Sequence, residues 1–370
     1  MASIWFETLA PDDRAVLEAS DPAPASTDVL ILGAGLIGLT TAYYLTEAGI
    51  TSICIVDPAG PLAGASGANA GGLWFSQQSP HLGPLVPLAH ASGRLYQELN
   101  QTLDADLHLR RSGLLELLSG PPSHIPAVHG AGFRAEFVPP GDLPGLEPLL
   151  APCPHGAVHY PDDGQINPVR LGGALLRRLR ERGAKISLIP NEPNSLPSAG
   201  VTVVTAGAWT PLVTEALGWK PRIKPIRGQL LATPPHPPAL RHTVIGPNFY
   251  YWQLVQGHIA AGGTIEDVGF TSGTDAADLA AIRAEMSALF PSLATLPTAC
   301  AWSGFRPFCE DFLPVIGRVP GHDRVFVAAG HFKKGVMLAP VTGKILADLI
   351  TTGCTDLPIA ALDPARFPRS

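Results

Sequence analysis

Regular patterning begins at residue 28. Residues 29–32 form an apolar run short enough for a strand buried on both faces. A helical pattern follows through Leu36, Leu39, Tyr43 and Ala48, closed by Gly49, and residues 53–56 read as a second buried strand. Residues 62–73 are a loop of small residues, residues 82–103 a long helix and residues 112–118 a strand. Residues 167–183 predict a helix with Pro168 near its start, and residues 201–206 a further apolar strand. Residues 249–261 alternate like one half-buried strand, and residues 276–290 are helical. Residues 325–328 are another strand of the parallel type, and a last helix spans residues 339–352. Parallel-type strands thus lie at the beginning, middle and end of the chain. This order predicts an α/β unit split along the sequence and interrupted by a second, more antiparallel unit.

The junction between the first strand and helix carries Gly33, Gly35 and Gly38 in G-x-G-x-x-G spacing, and the second strand ends in Asp57. That acid stands about 20 residues past the last glycine, where the dinucleotide-binding fingerprint places it. Gly33 permits the tight turn, Gly35 lets backbone approach a pyrophosphate, and Gly38 lets helix and strand pack closely. The helix N-terminus presents unpaired N–H groups to phosphates, and Asp57 is suited to accept hydrogen bonds from a ribose. Residues 29–46 carry no charge and satisfy the length of a membrane span. Three glycines, the threonines and the strand-like start argue against that reading.

Composition narrows the partners. The 370 residues are 46% hydrophobic, ample for more than one domain, and only 15% are charged, with a net charge of −6. No basic patch points to nucleic acid, and no basic amphipathic stretch points to a membrane surface. The five cysteines are dispersed, with no C-x-x-C pair and no zinc-like histidine spacing, so no metal site is expected and the thiols fit a reduced, cytoplasmic setting. The first 27 residues are acidic and Pro/Ala-rich and lack the layout of a secretory signal. They read as a surface arm packing through Trp5 and Phe6. Proline-rich stretches at residues 139–148, 190–197 and 234–238 read as stiff surface loops.

Six blocks then carry a family resemblance. They are Gly64-Ala-Ser-Gly-Ala-Asn-Ala-Gly-Gly72, Gly164-Gln-Ile-Asn-Pro168, Val203-Val-Thr-Ala-Gly-Ala-Trp209, Pro225-Ile-Arg-Gly-Gln229 with Gly262-Gly-Thr-Ile-Glu266, Trp302-Ser-Gly-Phe-Arg-Pro307 with Leu313-Pro-Val-Ile-Gly317, and Ala328-Ala-Gly-His-Phe-Lys-Lys-Gly335. In this order the chain resembles the FAD-dependent D-amino-acid oxidase and glycine oxidase superfamily, nearest the glycine oxidase and D-amino-acid dehydrogenase branch. The resemblance implies a Rossmann-like FAD-binding domain (residues 28–80, 150–215 and 305–370). A mixed, largely antiparallel substrate domain (81–149 and 216–304) interrupts it, and residues 1–27 precede it as an arm.

It also implies non-covalent FAD as cofactor. The pyrophosphate would lie on Gly33, Gly35, Leu36, Ile37 and Gly38, and the AMP ribose by Asp57 and Pro58. Ala65, Ser66, Asn69, Ala70, Gly71 and Gly72 would follow the flavin, with Ala206 and Gly207 nearby. Gly330, His331, Lys333, Lys334, Gly335, Val336 and Met337 would surround the pyrimidine edge, where a helix start stabilises negative charge. The implied chemistry is oxidation of a D-amino acid, glycine, or a secondary or cyclic amino acid to an imine. Hydride passes from Cα to flavin N5, and O₂ or another acceptor reoxidises the flavin.

For the substrate, Arg306 matches the family's carboxylate-binding arginine, a planar fork suited to two parallel N–H bonds. Tyr250 aligns with a substrate-contacting tyrosine, and Trp252 shares its face of the strand. Three departures qualify the picture. Lys333 stands where the family pattern Gly-His-Phe-Arg-Asn-Gly has arginine, and Gln253 replaces a proline. Only residues 184–200 stand where relatives carry several strands over adenine. A partner subunit or a second copy could complete that end, so a flavin-carrying subunit or non-catalytic flavoprotein is the alternative to the enzyme.

Overall fold

The computed structural model describes residues 3–187 and 196–368. In chain order the strands are β1 (Ser26–Leu32), β2 (Ile53–Val56), β3 (Gly72–Leu73), β4 (Leu114–Leu117), β5 (Glu136–Val138) and β6 (Ala157–Tyr160). Next come β7 (Gly164–Gln165), β8 (Lys185–Ser187), β9 (Ser198–Val204), β10 (Ile223–Pro235) and β11 (Thr243–Ile245). The last are β12 (Tyr250–Gln253), β13 (His258–Gly262), β14 (Cys300–Cys309), β15 (Val315–Arg318) and β16 (Val325–Ala329).

They form a six-stranded sheet in the order β15-β16-β9-β1-β2-β8 and an eight-stranded sheet in the order β14-β10-β13-β12-β11-β4-β6-β5. A small antiparallel β3-β7 pair forms a third sheet. In the first sheet β8, β2, β1, β9 and β16 run parallel and only the edge strand β15 is antiparallel. The second sheet is antiparallel except where β11 meets β4. This is the split α/β unit with an antiparallel insertion that the pattern predicts.

The helix Leu36–Glu47 follows β1 and is buried almost all round, which its uncharged sequence allows. It packs on the last helix, Gly335–Thr351, where Gly343 leaves room for the backbone of Thr40. That last helix starts four residues before the sequence pattern places it and carries Pro340 in its second turn. Proline has no N–H for the carbonyl four residues back, so the Val336 carbonyl is free, and it accepts the Tyr96 hydroxyl. The Ser92 hydroxyl donates to the Met337 carbonyl at 2.7 Å, so the helix Val86–Thr102 anchors this helix start twice.

Several expectations are corrected. Residues 249–261 are a hairpin, not one strand: β12 and β13 turn at Gly257, whose φ of +93° suits only glycine. Gln253 secures that turn, its amide donating to the carbonyls of His236, Pro237 and Gly257. The loop at residues 62–73 contains a short helix, Ala65–Ala68, and β3. β6 lies in a segment expected in the nucleotide-binding part, yet it pairs with β4 and β5, where Ala157, Val158 and Tyr160 are buried in the other sheet. All of β14 likewise belongs to the eight-stranded sheet, so residues 305–309 leave the nucleotide-binding unit. The shortened stretch at 184–200 contains β8 and the start of β9, and residues 188–195 of it lie outside the described residues. Among the described residues no helix is long and apolar enough to cross a membrane.

Candidate functional site

The dinucleotide turn is built from contacts that admit no side chain. Gly33 has φ +117°, and a Cβ there would lie 2.5 Å from the Thr205 carbonyl oxygen. A Cβ on Gly38 would lie 2.0 Å from the Gly33 oxygen. Thr205, which leads into Ala206 and Gly207, closes the turn by donating its hydroxyl to the Gly33 carbonyl at 3.0 Å. Sequence reasoning placed Thr205 in a block without giving it this role. Gly35 caps the helix Leu36–Glu47, and Leu36 N–H donates to the Ser66 hydroxyl at 3.0 Å. The first-turn N–H groups, Ile37 among them, face the junction with the loop at 65–72. Asp57 is half-buried beside Pro58. Its carboxylate accepts the N–H groups of Ala34 and Ala59, each at 2.9 Å. Burial lifts its pKa above the usual carboxylate value although these backbone donors oppose the shift.

The loop carrying Ala65, Ser66, Asn69, Ala70, Gly71 and Gly72 is organised by Asn69. The Asn69 amide donates to the carbonyls of Ala65 and Ser66, and its side-chain oxygen accepts Gly71 N–H at 2.6 Å. Gly71 has φ +72°, with a Cβ position only 2.2 Å from the Ile166 oxygen. β14 lies against the other side: Trp302 donates its indole N–H to the Ala68 carbonyl at 3.0 Å, and a Cβ on Gly304 would be 2.5 Å from that of Ala68.

Arg306, two residues on, shares this face of β14. Its Nη1 donates to the Thr264 carbonyl at 2.7 Å. A Cβ on Gly228 would lie 2.1 Å from Nη1, and one on Gly263 would lie 2.7 Å from Nη2 and 2.6 Å from the Tyr250 hydroxyl. The guanidinium therefore lies over two positions that lack side chains and meets the tyrosine there. Nε and Nη2 have no acceptor among the described residues, so part of the fork is free for a ligand. Trp252 packs 5.6 Å from the Tyr250 ring and is buried, so it backs the tyrosine rather than lining open space. Trp74, not singled out from the sequence, meets Tyr250 edge-on at 5.1 Å. The indole N–H groups of Trp74 and Trp252 are buried without an acceptor among the described residues.

The C-terminal block supplies two cations. Lys333 is exposed. Surrounding protein first, then Arg306 and Lys334, bring its ammonium down to about 8. Lys334 is buried, burial lowers its pKa, and no carboxylate pairs with it among the described residues. His331, next to Gly330, is buried with its Nε2 3.0 Å from the Thr342 hydroxyl, and burial pushes the ring down to about 3, so it is neutral. Gly335, Val336 and Met337 open the last helix beside them. Arg306, Lys333 and Lys334 thus gather positive charge, and among the described residues no carboxylate forms an ion pair with any of them, in a chain of net charge −6. The nearby Arg227 is paired with Glu266.

Behind Arg306 lies a network of Arg227, Gln229, Thr264 and Glu266, residues of the two family blocks at 225–229 and 262–266 to which sequence reasoning assigned no role. Glu266 accepts from the Thr264 hydroxyl, from Gln229 Nε2 at 2.9 Å and from Arg227 Nε at 2.8 Å.

These features fit a flavin dinucleotide. A glycine turn and a helix start suit a pyrophosphate, buried orphan N–H donors suit a group with acceptors of its own, and buried lysine suits its anionic parts. Residues 28–349 match the family model described as "DAO: FAD dependent oxidoreductase". The hydrogen cyanide synthase subunit HcnC of Pseudomonas aeruginosa is 27% identical over 92% of this chain and 96% of its own length. The glycine oxidase of Geobacillus kaustophilus is 28% identical over 87% of this chain and 92% of its own. The crystal structure of glycine oxidase from that organism superposes with a TM-score of 0.85 at 26% identity, covering 93% of this chain and 99% of that one. The L-proline dehydrogenase of P. horikoshii shares the fold, with a TM-score of 0.82 at 23% identity over 93% of this chain and 98% of its own. The chain belongs to the DAO family of FAD-dependent oxidoreductases.

Proposed function

We propose that this protein oxidises the Cα–N bond of a small amino acid, either glycine, a D-amino acid or a secondary or cyclic amino acid, to the imine. The observation that carries this reading is the Arg306 guanidinium, laid over Gly228 and Gly263 with Nε and Nη2 free beside the Tyr250 hydroxyl. A half-satisfied fork with further positive charge at Lys333 and Lys334 suits a carboxylate. Bound FAD supplies the hydride acceptor. The protein's task is to hold the substrate and exclude water.

Arg306 would fix one carboxylate edge, and Lys333 would add charge to the same side. Tyr250, backed by Trp252 and Trp74, would bound the side-chain end with aromatic surface. The same cations disfavour an ammonium ion beside them and so ease its loss of a proton, which leaves the amine neutral for hydride transfer without a dedicated base. The similarity to two glycine oxidase sequences and to a glycine oxidase fold supports the amino-acid class.

The test is anaerobic mixing of the yellow holoenzyme with a panel of amino acids, then admission of O₂. Bleaching by carboxylated amines and not by their amides is the expected result. A flavin that no amino acid reduces would sink the proposal. The parallel peroxide measurement separates oxidase from dehydrogenase.

A second reading, a flavin-carrying subunit that works with a partner, is favoured by one surface feature. Trp209 and Phe270 stack at 5.0 Å while both remain exposed, with Leu212 and Ile265 also exposed. The match to HcnC, itself a subunit, points the same way. Co-purification of a stoichiometric second chain from the native host would support it.

A further inference from the structure

The family model begins at residue 28, and the residues before it are not a loose arm. They form two helices, Ile4–Glu7 and Pro11–Glu18, with Ile4 and Trp5 buried. Their contacts converge on the loop at 65–71. The Ser3 hydroxyl donates to the Gly67 carbonyl, and the Trp5 indole N–H donates to the Asn69 carbonyl at 2.6 Å. The Phe6 ring fills the space that a side chain at Gly67 would need, at 2.6 Å from its Cβ position. The Trp5 ring lies 3.3 Å from the Cβ position of Gly71.

The other end of the segment is latched to the helix Pro168–Glu181. Asp13 pairs with Arg170 and Arg177, and Arg180 donates to the carbonyls of Val16 and Ala19 at 2.6 and 2.7 Å. Asp21 then exchanges hydrogen bonds with Ile186 in β8.

From these contacts we infer that residues 3–18 are a strap that holds the 65–71 loop in its cofactor-binding shape, with Trp5 as the positioning residue. Trp5 grips the backbone of Asn69. The Asn69 side chain in turn fixes Ala65, Ser66 and Gly71, and Ser66 takes the Leu36 N–H at the pyrophosphate turn. The chain's own groups thus contribute to ordering that loop, which lowers the entropy cost of binding FAD. The inference rests on the reading that this loop faces the flavin.

The experiment compares holoenzyme carrying Trp5→Phe, which keeps the ring and loses the N–H, with Trp5→Ala, Asp13→Asn and Asn69→Ala. Flavin release is followed by fluorescence after dilution, alongside thermal unfolding with and without excess FAD. The expected result is release about 5-fold faster in Trp5→Phe and at least 20-fold faster in Trp5→Ala, with a visible flavin band of altered fine structure. Excess FAD should restore most of the lost melting temperature. If Trp5→Ala fails to fold, Trp5→Phe and Asp13→Asn still report. Release unchanged within 2-fold in both Trp5→Phe and Asp13→Asn, with Asn69→Ala accelerated, overturns the strap alone. Unchanged release in Asn69→Ala as well overturns the placement of the loop at the flavin.

Discussion

The position of Arg306 is set from the far face of the sheet, and Glu266→Gln tests that dependence. Glu266 and Arg227 form an ion pair whose side chains are only 16% and 11% exposed. Burial alone would raise the Glu266 pKa, but donors from Thr264, Gln229 and Arg227 outweigh it and keep the carboxylate below its usual range. The backbones of the same two residues also exchange hydrogen bonds at 2.9 and 3.0 Å. The Thr264 carbonyl that receives Arg306 is therefore tied through its own hydroxyl to this pair. The amide variant removes the charge and leaves Arg227 short of its partner. Charge-assisted bonds contribute about 1.5–3 kcal/mol each, so a stability loss of about 2 kcal/mol is expected after allowing for partial exposure. A carbonyl displaced by roughly an ångström breaks the 2.7 Å bond to Arg306, and loss of guanidinium orientation at about 1–2 kcal/mol raises KM for carboxylate substrates about 5- to 30-fold. Steady-state kinetics against the best substrate from the panel, with thermal melts of the same samples, give both quantities. A lower melting temperature with KM unchanged within twofold would refute the coupling and leave the network structural only.

Other outcomes follow from the same geometry. Gly228→Ala places a methyl 2.1 Å from Arg306 Nη1 and should raise KM at least about 10-fold with little change in melting, since alanine suits a strand better than glycine. An unaltered KM would mean that the guanidinium sits elsewhere. Lys333, brought to about 8, loses its proton across pH 7–9, so KM for carboxylates should climb over that range in the parent and stay flat in Lys333→Met. Because its folded value lies below the ordinary 10.5, the unfolded chain binds more protons between those values, and the Lys333 contribution to stability improves as pH rises from 8 towards 10.5. Denaturant titrations of the apoprotein at pH 7.5 and 9.5, parent against Lys333→Met, check that sign. Gly343→Ala would put a Cβ 2.5 Å from the Thr40 backbone and should cost about 1–3 kcal/mol by forcing two buried helices apart, read as a lower urea midpoint.

Legibility in the sequence tracked the range of the interaction. The turn at Gly33, Gly35 and Gly38 was readable because strand, turn and helix are consecutive and each glycine answers a contact within the unit or just behind it. Arg306 was readable because its block carries a family pattern. Tyr250 was named with it on the same ground, but the way Gly228 and Gly263 make room for the guanidinium was not readable, because they reach it through pairings of β10 with β14 and β13, and of β13 with β12, whose registers no local pattern encodes. The hairpin at residues 249–261 was missed for a related reason. Gly257 was the only turn signal in a run that otherwise kept its alternation, and the residue that secures the turn, Gln253, had registered only as a missing proline. β6 shows the limit most plainly, since a run as short as Ala157-Val-His-Tyr160 does not say which sheet receives it. The arm fell between these cases. Its aromatic residues announced that it packs, yet the partner of Trp5 lies 64 residues away at Asn69, on a loop whose shape the sequence left open. Local chemistry therefore specified the handle for the cofactor. The groups that hold the handle rigid, and those that orient the Arg306 guanidinium, arrive from distant strands and had to be found in three dimensions.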